Sequence, residues 1–99
     1  MNIVELMKQI QRIKSNLEEL QEEMKNREFL GEAGAGLVRV VINGALDVIS
    51  VEISEEAMED RKALEVLVRV AFQDALNKFK ESGESIFKGL FPFKFGGLS

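Results

Sequence analysis

The chain has 99 residues, of which 45% are hydrophobic and 30% charged, with a net charge of −4, the balance of one small soluble domain. It contains no Cys, His, Trp, Tyr or Thr. This inventory excludes disulfides, thiolate and imidazole chemistry and the usual zinc ligands, so no catalytic site, metal, cofactor or small-molecule substrate is expected. The absence of Cys fits a reducing compartment. No apolar run approaches the ~20 residues that cross a bilayer and the N-terminus lacks a signal pattern, so the expectation is a cytoplasmic protein with no membrane partner.

The first predicted element is a helix carrying Ile3, Leu6, Ile10, Ile13, Leu17, Leu20 and Met24 at alternating spacings of three and four. This is an a/d heptad seam, and a helix of about 24 residues extends ~36 Å. So long and narrow a seam on so small a domain predicts a partner helix, either the second helix of the chain or one from another subunit.

The strand region follows. Arg27 to Glu32 carries a weak strand pattern, and Gly31, Gly34 and Gly36 lead into the β-prone run Leu37–Ile42. Asn43-Gly44 reads as a two-residue hairpin turn, which pairs Ile42 with Ala45 and Val38 with Ile49. That register puts Val38, Val40, Ile42, Ala45, Ile49, Val51 and Ile53 on one face, with Asp47 as its polar intruder. The other face, with Leu37, Val41, Leu46 and Val48 beside Arg39, Ser50 and Glu52, is apolar enough to be the candidate dimer face.

Ser54 is placed to cap a short helical turn and Asp60 to cap a second long helix. In that helix Leu64, Leu67, Val68, Ala71, Phe72, Ala75, Leu76 and Phe79 form a wide apolar stripe, and Gly83 is the expected C-cap. The pattern order predicts an α+β domain over residues 1–84: a long N-terminal helix, an antiparallel three-stranded sheet and a long C-terminal helix. Residues 85–99 read as a tail of Phe, Gly and Lys, with Phe87, Phe91, Phe93 and Phe95 as docking or base-stacking groups.

Two phosphate motifs are excluded. The glycines precede a strand rather than opening a helix, and no Gly-Lys-Ser/Thr occurs. The charges, however, are segregated. Lys8, Arg12 and Lys14 precede an acidic stretch of Glu18, Glu19, Glu22 and Glu23, and residues 85–99 contain Lys88 and Lys94 but no acid. Each charge alone is an ordinary surface residue; their clustering matters because phosphate binding needs local basic stripes rather than a positive total.

Three segments together carry a family resemblance: LMKQIQRIKSNLEELQEEM (Leu6 to Met24), GEAGAGLVRVVINGALDVISVEI (Gly31 to Ile53) and VAFQDAL (Val70 to Leu76). In these the chain resembles the YbaB/EbfC family of bacterial nucleoid-associated proteins. The resemblance implies an α+β homodimer with helices projecting like the arms of tweezers, binding duplex DNA with low sequence specificity and affecting nucleoid organisation and gene expression. On this reading Lys8, Arg12, Lys14, Lys78, Lys80 and Lys88 are the candidate phosphate contacts, and the acidic stretch confines DNA to the basic ends. The alternative is a dimeric protein-interaction adaptor without direct DNA binding.

Overall fold

Asn2 opens the first element, its side-chain oxygen accepting from the Glu5 N–H at 2.9 Å and satisfying one of the free donors of a helix start. Helix α1 spans Ile3–Asn26. Strands β1 (Glu28–Ala33), β2 (Val38–Asn43) and β3 (Val48–Ile53) follow. A 3-10 turn at Glu56–Glu59 leads to α2, Arg61–Leu90. The computed structural model describes residues 2–90. Its strands form one antiparallel sheet in the order β1-β2-β3, giving the α+β class that the pattern order predicts.

Strand periodicity builds the core. Phe29 and Ala33 of β1 and Val38, Val40 and Ile42 of β2 turn to one face and are buried against Ala71 and Ala75 of α2. The small side chains at 71 and 75 let the helix backbone approach the sheet, and Gly31 completes the fit. A Cβ at Gly31 would collide with the Ala71 carbonyl and lie 2.6 Å from the Ala75 nitrogen. Phe29 and Phe79 meet edge to face, with ring centroids 5.8 Å apart. Asp60 caps α2 as expected, accepting from the Ala63 N–H at 3.2 Å, and Ser54 accepts from Ala57 in the 3-10 turn.

Two turn expectations are corrected. Asn43-Gly44 is not a two-residue turn: Val38 pairs with Ile53, Val40 with Val51 and, across a bulge, Ile42 with Val48. The connection runs through Gly44, Ala45, Leu46 and Asp47, and the Asn43 side-chain oxygen accepts from the N–H groups of Ala45 and Asp47, each at 3.0 Å. Leu46, not Gly44, takes the left-handed conformation (φ +64°). Gly44 is needed elsewhere: its N–H donates to the Arg27 carbonyl at 3.0 Å, and a Cβ there would collide with the Met24 carbonyl at the end of α1. Gly83 likewise does not end α2, which continues to Leu90. The segment expected to begin a tail at 85 is therefore helical as far as 90, and Phe91, Phe93 and Phe95 lie outside the described residues.

The register also changes the second face of the sheet. Its cross-strand rows are Leu30–Val41–Ser50 and Glu32–Arg39–Glu52, with Arg39 Nε 3.2 Å from a Glu32 carboxylate oxygen. Of the four residues expected on an apolar second face, Val41 is there. Leu37 packs against the core, Leu46 sits in the connection and Val48 stands opposite Ile42.

Candidate nucleic-acid interface

Helix α1 contains no buried residue. Its C-terminal end is held at the domain: the Arg27 guanidinium donates to Ser82 Oγ of α2 at 2.9 Å, and a cleft of about 510 Å³ between the helices is lined by Leu17, Leu20, Met24, Gly44 and Ile86. The rest projects, leaving Ile3, Leu6, Ile10 and Ile13 exposed along one stripe. The chain measures 69 × 31 × 15 Å along its principal axes, an elongated and thin shape.

Lys8, Arg12 and Lys14 are all exposed on this projecting helix, and none makes an ion pair among the described residues. The helical period sets Lys8 and Arg12 one above the other, with Lys14 about 160° around the axis from Arg12. The acidic patch of Glu18, Glu19, Glu22 and Glu23 with Ser15 follows towards the sheet, and Lys25 beyond it is paired with Glu22 at 3.6 Å, so the unpaired cations of α1 lie on the projecting part. On α2, Lys80 and Lys88 are exposed and likewise unpaired among the described residues.

Lys78 differs. Its ammonium donates to the Leu30 carbonyl at 2.7 Å and lies 3.3 Å from an Asp74 carboxylate oxygen. The Asp74 carboxylate in turn accepts from the Glu32 N–H at 3.0 Å. That backbone hydrogen bond is the main reason its pKa lies below the ordinary Asp value; partial burial opposes it and Lys78 adds to it. Lys78 thus already has two partners at the edge of β1, unlike the other candidate cations. Sequence reading passed over Lys62 and Arg69, exposed cations seven residues apart on α2; that two-turn spacing was the available signal.

Among the described residues, two long helices joined to a small antiparallel sheet and carrying exposed, unpaired cations define a class of α+β protein with an extended charged surface. Residues 1–92 match the YbaB/EbfC DNA-binding family, and the chain belongs to that family. A nucleoid-associated protein of Rickettsia akari (strain Hartford) is 36% identical over 90 residues, spanning 89% of this chain and 84% of that protein. Among solved structures, an uncharacterized protein from Helicobacter pylori superposes with a TM-score of 0.75 at 21% identity, over 91% of this chain and 97% of that one. That likeness establishes the fold alone. Among the described residues no helix is long and apolar enough to cross a membrane.

Proposed function

We propose that the chain is a nucleoid-associated protein of the bacterial cytoplasm that binds duplex DNA as a homodimer with low sequence specificity. Family membership over residues 1–92 carries this reading. The exposed cations on the projecting helices supply the means. Lys8 and Arg12 form the leading contact, supported by Lys14, Lys80 and Lys88; Lys78 is omitted because its ammonium serves Leu30 and Asp74. Such side chains engage phosphates rather than base edges, so they position the protein on DNA without reading its sequence.

The dimer is proposed to form along β3. Helix α2 lies over β1 and β2 and leaves β3 largely uncovered. Val48, Ile49, Val51 and Ile53 are all exposed there, next to Leu46 at 53% exposure. An open apolar edge strand is a template for a second copy, and a two-fold pairing of β3 with β3 covers the same surface on both. It also carries two α1 helices on one particle, doubling the charges that meet DNA.

Charge reversal tests the reading. Lys8→Glu, Arg12→Glu and Lys14→Glu together are expected to abolish retardation of a random duplex in a gel shift while the particle mass stays that of the wild type. Unchanged retardation would reject the α1 contact. The adaptor reading, favoured by the exposed Ile3–Ile13 stripe, requires instead that wild-type protein fail to retard duplex DNA at moderate salt.

A further inference from the structure

The outer edge of β1 is occupied by side chains of α2 in the pattern of a neighbouring strand. Leu30 and Glu32 lie two residues apart, so the Leu30 carbonyl and the Glu32 N–H point out from one edge, side by side across Gly31. Asp74 and Lys78 are one helical turn apart on the same face of α2, and their side-chain ends converge to 3.3 Å to meet that pair of groups. The match is also chemical. The Asp74 carboxylate receives the Glu32 N–H at 3.0 Å, as the carbonyl of an added strand would, and the Lys78 ammonium donates to the Leu30 carbonyl at 2.7 Å, as its N–H would. The two side chains remain 38% and 47% exposed, so they face solvent beside this stretch of the edge.

We propose that Asp74 and Lys78 form an edge stop that prevents β3 of a second copy from adding to β1. A sheet with two open edges can pair head to tail, β3 of one copy on β1 of the next, a contact that adds copy after copy unless its rotation closes a ring. Blocking β1 leaves β3–β3 pairing as the route of sheet extension, which ends at two copies. The stop is independent of DNA contact. It rests on the dimer reading only for the wild-type mass, because its test compares variants with that mass.

Sedimentation velocity over a concentration series tests it on the full chain. D74A/K78A is expected to form particles heavier than the wild type, with a mass that grows with concentration, and Leu30→Lys added to that variant is expected to restore the wild-type mass by placing a charge on the reopened edge. R61A/E65A, which removes an exposed pair of the same spacing elsewhere on α2, is expected to keep the wild-type mass. A wild-type monomer would remove the dimer reading and leave the stop standing if D74A/K78A still assembles. If the double variant does not fold, D74A alone supplies a second readout: the Glu32 amide is expected to exchange about tenfold faster or more than in the wild type. A folded D74A/K78A of wild-type mass at every concentration overturns the proposal, as does a Glu32 amide whose exchange is indifferent to D74A.

Discussion

The two edges of the sheet are built in opposite ways. At β1, α2 lies so close that Gly31 has no room for a Cβ, and Asp74 and Lys78 engage the outward backbone groups. At β3 no helix closes the face, and Val51 and Ile53 stay 45% and 39% exposed although they pair with the fully buried Val40 and Val38. The same row of side chains is therefore core on β2 and surface on β3. The difference teaches that α2 finishes one side of the sheet and leaves the other open, the side that the proposed two-fold pairing would cover.

Removing the closeness at β1 should have the largest effect. Gly31→Val forces branched atoms into the Ala71 carbonyl and is expected to cost about 3 kcal/mol or more, read as a lowered midpoint in urea denaturation. Disrupting the open edge should be milder for the fold and decisive for assembly. V51D/I53D puts carboxylates where β3 is proposed to meet its partner; the mass is expected to halve while each chain keeps its circular dichroism and loses no more than about 1 kcal/mol, as exposed substitutions usually do.

The smallest effect is the acid sensitivity of the β1 edge. Asp74 holds its charge to lower pH in the folded chain than the unfolded value of about 3.9, so its contribution is present above that pH and is lost as pH falls through the folded value. D74N is expected to flatten the fall of Tm in that acid window and to lower Tm slightly at neutral pH. An identical acid profile for the two proteins would remove Asp74 from the account.

The elements, and the shared face of Val38, Val40, Val51 and Ile53, were legible because they follow from periodicity. The 3.6-residue stripe located α2 and the two-residue alternation located β2 and β3. The true pairing differs by four residues at Val38, an even slip that keeps Val51 and Ile53 on the face of Val38 and Val40. What was not legible depended on distant partners. Asn43-Gly44 has the composition of a tight turn, but Gly44 is claimed by Arg27 and by the end of α1. Gly83 costs a helix about 1 kcal/mol, too little to stop one this long. The seam of α1 was plain, yet a seam does not name its occupant, and Ile10 and Ile13 remain 56% and 59% exposed. Lys78 sits at the spacing of an ordinary surface pair with Asp74; only the fold brings Leu30 and Glu32 beside them. The candidate site was therefore readable as a list of cations, but not as a division between free and committed ones.

The central claim is that unpaired cations on the projecting helices hold DNA through its phosphates. Fluorescence anisotropy of a labelled duplex, titrated at several salt concentrations, tests it most directly. If about four of the five proposed cations engage on each of two chains, about eight phosphates are neutralised, so the logarithm of affinity should fall against the logarithm of salt with a slope of about −7. K8E/R12E should make that slope clearly shallower. An affinity indifferent to salt, or a slope unchanged by that reversal, would contradict the account.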